Sequence, residues 1–100
     1  GGSLTSEDAA SRATGDHFRV GVIRAECAMI QELLSGASGS LAAREADFEA
    51  MDESIPKEAA QARAWHRKQV QEAQAKVEGL ESRLAEATAR LDVAEARVSA

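Results

Sequence analysis

The feature that most constrains this chain is an apolar seam in its final third. From Val70 onward, apolar residues recur at alternating intervals of three and four, which puts them at positions a and d of a heptad repeat. A helix of this kind buries its seam against a second helix, so the sequence predicts a coiled coil. The predicted dimer seam comprises Val70, Ala73, Val77, Leu80, Leu84, Ala87, Leu91, Ala94 and Val98.

Charges beside the seam predict the direction of the partner helix. The g positions are basic, and the e positions are neutral or acidic. In a parallel, in-register pair these positions meet, which sets Lys76 against Glu81 and Arg90 against Glu95. Two identical tails in antiparallel orientation would oppose basic residues instead. The tail therefore favours a parallel homodimer; an amphipathic helix lying on another domain is the alternative.

A second seam keeps heptad phase from Val20 to Ile55 and passes through residues 35–40, whose sequence is Ser-Gly-Ala-Ser-Gly-Ser. Gly36 and Gly39 fall at solvent positions, and the phase is the same on both sides of them. We therefore predict one helix with a soft spot at 35–40, where each Gly costs about 1 kcal/mol relative to Ala. A hinge or a short break is the alternative.

Beside this second seam lies a further apolar stripe, formed by Phe18, Val22, Met29 and Leu33. A two-stranded coiled coil would leave the stripe exposed to water. One explanation is a thicker bundle, with a folded-back or additional helix covering it. The other is a docking face for another protein.

The two seams are out of phase, because a slip of one residue separates Ile55 from Val70. Pro56 lies in this discontinuity near 52–66 and disfavours helix at the residue before it. In the favoured architecture Pro56 only kinks an elongated all-α rod, about 120 Å long at 1.5 Å per residue, that pairs with a parallel copy. The alternative is an antiparallel helical hairpin with a turn at 52–56, or a short helical bundle in the N-terminal half.

These features divide the chain into three segments. Residues 1–15 join a Gly-Gly-Ser start that looks like a cloning remnant to a polar lead-in, 16–55 form the helical segment with the soft spot, and 56–100 form the heptad coiled coil. The remnant, together with a final helix that has no stop signal, leads us to expect an excised fragment of a longer protein.

The composition argues against most chemical activities. A net charge of −5 disfavours nucleic acid and anionic membranes as partners, and no apolar run is long enough to span a bilayer. The sequence has no paired-carboxylate site, Gly-rich phosphate loop or Cys/His cluster, so we expect no enzyme, cofactor, metal or small-molecule substrate. A single cysteine suggests a reducing intracellular compartment, the cytoplasm or the nucleus.

Three isolated residues each have a structural interpretation. Cys27 lies at an a position, where a buried thiol is the simpler interpretation and a crosslink between parallel copies in an oxidising setting is the other. His66 lies near the phase slip, where a partly buried helical histidine is favoured over a metal ligand because zinc needs three or four ligands. Arg44 occupies a d position, where a polar residue often sets the register.

One local cluster is basic and contains the single tryptophan. Trp65 lies among Arg63, Arg67 and Lys68, and such a group can bind an acidic partner. A solvated helix face with the tryptophan packed over the phase slip is the simpler interpretation. The candidate partner contacts are Arg63, Trp65, Arg67 and Lys68 in this cluster, and Phe18, Val22, Met29 and Leu33 in the stripe.

From residue 58 the sequence reads EAAQARAWHRKQVQEAQAKVEGLESRLAEATARLDVAEARVSA. In its Ala, Arg and Glu content it resembles the coiled coil of the microtubule-binding region of unconventional kinetoplastid kinetochore proteins. In that family a basic disordered tail follows the coiled coil and contributes to microtubule contact. The resemblance implies a non-catalytic scaffold that partners with itself and with microtubules or another protein. The net negative charge of this chain departs from that pattern.

Overall fold

The computed structural model describes residues 6–54, 56 and 59–99, which form two long α-helices and no strand. Helix α1 spans Ser6–Ser54 and helix α2 spans Ala60–Ser99. The molecule measures 80 × 20 × 15 Å. The prediction of an elongated all-α chain is therefore confirmed. The Gly-Gly-Ser start and Ile55, the last residue of the second seam, lie outside the described residues.

The helices run antiparallel and pack against each other as a hairpin. Arg24 of α1 is bonded to Glu95 of α2, although 71 residues separate them in the chain. Nearer the turn, Arg44 bonds to Gln69, at a separation of 25 residues. The hairpin, which the sequence analysis kept as an alternative, is the observed architecture, and the preference for a continuous rod is wrong for this chain.

A short connection around Pro56 reverses the chain. Proline has no backbone N–H group and disfavours helix at the preceding residue, so α1 ends at Ser54. The Ala59 N–H donates to the Pro56 carbonyl at 2.9 Å, and the Arg63 N–H donates to the Ala59 carbonyl at 3.2 Å. These two bonds lead from the turn into the first turn of α2.

Helix α1 continues through the predicted soft spot. Residues 35–40 are helical throughout, as the unbroken heptad phase predicts. Ala37 is buried against α2, whereas Gly36 and Gly39 face solvent. The chain therefore keeps its seam across two poor helix formers, since burial of the seam depends on an uninterrupted helix.

The core is the line where the two seams meet. Near the open end of the hairpin, Ile30 is only 1% exposed and Ala87 is fully buried. Towards the middle, Ala37 packs with Val77 and Leu80. Small alanine side chains let the helices approach closely but bury little apolar area, so the core is thin. The residues of the cluster nearer the open end are Val20, Ile23, Cys27, Ile30, Ala87 and Ala94, flanked by Leu84, Leu91 and Val98.

The charges explain why α2 pairs with α1. At the e positions, Arg24 lies 3.1 Å from Glu95, and at the g positions Arg90 lies 2.7 Å from Glu26. Antiparallel helices bring e to e and g to g, and α1 supplies the complementary sign on both sides. Two copies of the tail alone would repel each other in antiparallel orientation, because their basic g positions would meet. Each exposed pair contributes about 0.2–1 kcal/mol, so these pairs favour the direction more than they hold the fold together.

Candidate protein-interaction surfaces

The predicted dimer seam is already covered within one chain. All nine of its residues are buried or half-buried, and the seven from Val77 to Val98 belong to core clusters shared with α1. The seam is therefore occupied by α1 of the same chain, and its predicted role in a dimer stays a prediction. A partner that leaves the hairpin intact has to bind elsewhere.

An exposed apolar surface lies beside the seam, near the open end of the hairpin. Phe18 is 74% exposed, and Val93 of α2 is 59% exposed. The fold-back of the chain thus leaves the predicted stripe uncovered. We call this surface the apolar face; its residues are Phe18, Val22, Met29, Leu33 and Val93.

Val93 is the one member of the apolar face that the sequence analysis missed. It occupies heptad position c in α2, and Val22 and Met29 occupy position c in α1. In an antiparallel pair, the c and g positions of both helices lie on the same side of the molecule. The heptad position of Val93 can be assigned from the sequence, but Val93 joins the stripe only when α2 folds back on α1.

Val22 and Val93 line a shallow open groove between the helices. The buried residues Ile23 and Ala94 also line it, and so do Glu86, Ala89 and Arg97. The Glu26–Arg90 ion pair crosses between the helices at this groove. Because the groove is open to solvent, it suits apolar side chains from another protein better than an enclosed small molecule.

Charges at the two ends of the groove differ in sign. Arg19 and Arg97 lie towards the open end of the hairpin, where α1 begins and α2 ends. Glu86 lies towards the middle, three helical turns from Arg97 on the same helix. All three side chains are exposed. The groove therefore runs from a basic end to an acidic end, with apolar side chains between them.

The second predicted contact surface lies near the turn. Trp65 is 57% exposed, and Arg67 and Lys68 are exposed as well, whereas Arg63 is half-buried. Lys68 lies 3.9 Å from Glu72 one turn further on. We call Trp65, Arg67 and Lys68 the turn-end cluster. It lies about 40 Å from Val93 of the apolar face at 1.5 Å per helical residue.

His66 packs against the ring of Trp65, which is consistent with a structural role for the histidine. The two rings are 4.7 Å apart at an interplanar angle of 86°, an edge-to-face contact. His66 is half-buried on α2, as expected for a helical histidine near the phase slip. Arg44, at a d position of the seam, has an exposed side chain that donates to Gln69 of α2 at 2.9 Å.

Cys27 lies in the core near the open end. Its thiol is free, and the residue is 8% exposed. This placement matches the interpretation as a buried core thiol. A crosslink between two copies through Cys27 would require the hairpin to open.

Residues 6–54, 56 and 59–99 contain neither a metal-binding cluster nor a membrane-spanning helix. In these ranges no three His, Cys, Asp or Glu residues come together in a way that could hold a metal ion. Within the same ranges, neither helix has a stretch apolar enough to cross a membrane.

No protein-family model matches this sequence, and no curated protein or solved structure matches the chain.

Proposed function

We propose that this chain is a non-catalytic helical scaffold that associates with protein through its apolar face. The observation that carries the proposal is that Phe18 and Val93 are more than half exposed although the hairpin has already closed its own seam. Exposed apolar side chains do not contribute to that seam. Val22, Met29 and Val93 share heptad position c on one side of the helix pair, and exposed apolar side chains grouped in this way are typical of a contact surface.

The hairpin shape supports the scaffold part of the proposal. Helix α1 is 49 residues long and gives the molecule its 80 Å length. Two paired helices are stiffer than one, so the apolar face and the turn-end cluster stay at a defined separation. Such a module spaces two contacts apart, in the cytoplasm or nucleus where we expect the protein to act.

Homodimerisation remains part of this proposal, although its surface changes. A parallel coiled coil through Val70 to Val98 would have to displace α1 from the tail. Association through the apolar face needs no such opening. Self-association with the hairpin intact is therefore the form we favour.

A photo-crosslinking amino acid at Met29 tests the proposal in the protein's own cell. We expect discrete covalent adducts with protein, either the same chain or another. The matched control carries the same amino acid at Ala46, an exposed alanine of α1 away from the apolar face. A second control adds Val22→Gln and Val93→Gln to the Met29 probe and should abolish the adducts. Equal adducts at Met29 and Ala46 would contradict the proposal.

A second candidate function is contact with an acidic filament through the turn-end cluster. It is supported by the exposure of Trp65 beside Arg67 and Lys68. The resemblance to kinetoplastid kinetochore coiled coils makes microtubules the filament to test. The two cations of the cluster supply modest electrostatic affinity, so binding should weaken as salt is raised.

Co-pelleting with microtubules tests this second function. Arg67→Glu/Lys68→Glu should pellet less than the unmodified chain at low salt. The matched control is Arg12→Glu/Arg83→Glu, which makes the same charge change at two exposed positions away from the cluster. Equal pelleting of the two variants would remove the cluster from consideration.

A further inference from the structure

The spacing of the apolar face is symmetric along α1. Its four residues on that helix are separated by intervals of four, seven and four. Their midpoint lies between Ala25 and Glu26. Turning the helix end for end about this midpoint exchanges Phe18 with Leu33 and Val22 with Met29.

Helix α2 has a matching symmetry at the same level of the hairpin. Ala89 and Val93 lie on either side of Leu91, and Glu86 and Arg97 lie on either side of the bond between Leu91 and Asp92. The Glu26–Arg90 ion pair shows that this part of α2 faces the midpoint on α1. A single axis perpendicular to both helices therefore passes close to both midpoints.

From this symmetry we infer that the apolar face binds a second copy of this chain, turned end for end about that axis. The inference rests on the proposed function and names the partner of the same surface. A twofold contact is isologous, so each residue pairs with a different residue and the reverse pair forms as well. Val22 then meets Met29 of the other copy, since both occupy heptad position c, and Val93 meets Ala89.

Charge selects this orientation over the other twofold arrangement. In the end-for-end arrangement Arg97 of one copy meets Glu86 of the other, and this pair forms twice. Two hairpins stacked with their open ends together would instead set Arg97 against Arg19. Within one chain Arg97 and Glu86 are eleven residues apart, about 16 Å, so they do not pair with each other. Their exposed side chains remain available to a second copy.

The area predicts a weak dimer. The apolar face extends about 22 Å along α1 at 1.5 Å per residue. On a molecule 20 Å wide this gives a footprint of roughly 400 Å² per copy, about half that of a standard stable interface. We therefore expect a dissociation constant of tens to hundreds of micromolar, and a monomer–dimer equilibrium that depends on concentration.

Sedimentation equilibrium of the purified chain between about 10 and 500 μM tests the contact, over the range set by that affinity. The unmodified chain should shift from monomer to dimer, and Val22→Gln/Val93→Gln should stay monomeric. The matched control is Ala42→Gln/Ala46→Gln, which adds the same side chain at exposed positions of α1 away from the face. Circular dichroism of each variant shows whether the hairpin remains folded.

Charge reversal tests the orientation. Arg97→Glu should weaken dimerisation about tenfold, because it places two acidic pairs at the interface. Adding Glu86→Arg to the same chain should restore it. Rescue of this kind requires contact between copies, since the two positions are too far apart within one chain. Failure of the second substitution to rescue would overturn the orientation.

Disulfide trapping gives an independent readout. Val22→Cys protein mixed with Met29→Cys protein should form a mixed disulfide dimer, and neither protein alone should do so efficiently. Buried Cys27 is present in every sample and serves as the common background. Self-linked Val22→Cys dimers without mixed dimers would overturn the inference.

The two proposals fail in different ways. If the purified chain stays monomeric at about 500 μM while Met29 still crosslinks to another protein in cells, the self-contact is wrong and the docking function stands. If Met29 gives no specific adducts and the chain stays monomeric, both are wrong.

Discussion

Arg90 donates a 2.7 Å hydrogen bond to Glu26 of the same chain, whereas the heptad pattern alone favours Glu95 of a second copy as its partner. Glu95 in turn accepts from Arg24 at 3.1 Å. Glu26 and Glu95 are therefore each bonded to an arginine on the other helix of the same hairpin. Arg90 has a different partner from the one the heptad pattern favours, because the helices pair antiparallel within one chain and not parallel between two copies.

The first prediction concerns this charge arrangement. Arg90→Glu should lower the free energy of unfolding by about 0.5–1 kcal/mol, because it sets two carboxylates against each other on a partly exposed surface. The double variant Glu26→Arg/Arg90→Glu should recover most of the loss. Urea unfolding of the two single variants and the double variant measures the coupling energy. Simple additivity of the single effects would show that the two side chains do not interact in solution.

A second prediction concerns the core near the open end. Ile30→Ala should cost about 2–4 kcal/mol, since this residue is 1% exposed and its removal leaves a cavity between the helices. Its neighbour Met29 faces away, and Met29→Ala should change stability by less than about 0.5 kcal/mol. Thermal unfolding followed by circular dichroism compares the two. Similar losses at both positions would mean that α1 is rotated about its axis.

The third prediction concerns the glycines of the soft spot. Gly36→Ala and Gly39→Ala should each stabilise the hairpin by up to about 1 kcal/mol, because alanine is the better helix former. A Cβ atom added at either position meets nothing within 4 Å. Gly79→Ala is the matched control, since Gly79 is also helical and has the same free space. A gain at Gly79 alone would mean that residues 35–40 are not helical in solution.

The fourth prediction distinguishes the hairpin from a rod directly. Dyes attached at Ser11→Cys and Ala96→Cys should show strong energy transfer, because both positions lie near the open end. In a continuous rod they would be about 125 Å apart at 1.5 Å per residue, beyond the range of transfer. The control pair Ser11→Cys/Ala62→Cys should show weak transfer in the hairpin. Dilution with unlabelled chain removes signal between copies, and a weak Ser11–Ala96 signal would contradict the fold.

Much of the fold follows from periodicity. The seam from Val70 to Val98 and the seam from Val20 contain the residues that become buried, and unbroken phase predicts helix through Gly36 and Gly39. The stripe beside the second seam was also evident, and it remains exposed in the structure. These features depend only on the helical repeat, which a single sequence carries.

The direction of pairing was harder to predict, because it depends on which helix is the partner. Two tails paired with each other repel in antiparallel orientation, because their basic g positions meet. The tail considered alone therefore predicts parallel packing. Comparison of the tail with α1 would have set Glu26 against Arg90 and Arg24 against Glu95. Pro56 was compatible with both a kink and a turn, since its local effect ends the helix without setting the angle that follows. Val93 was missed for the same reason, as its relation to the stripe exists only in the hairpin.

The antiparallel arrangement places the start of α1 and the end of α2 at one pole of the molecule. A pulling force applied at those two points would act across the seam, so the helices would separate one level of packed side chains at a time, starting at the open end. The Arg24–Glu95 contact would be among the first to yield, and Ala37 with its neighbours would follow later. A force applied between the turn and the open end would act along the helices, so all the packed levels of the seam would resist it together in shear. The same module would thus be mechanically soft or strong according to where its attachments lie.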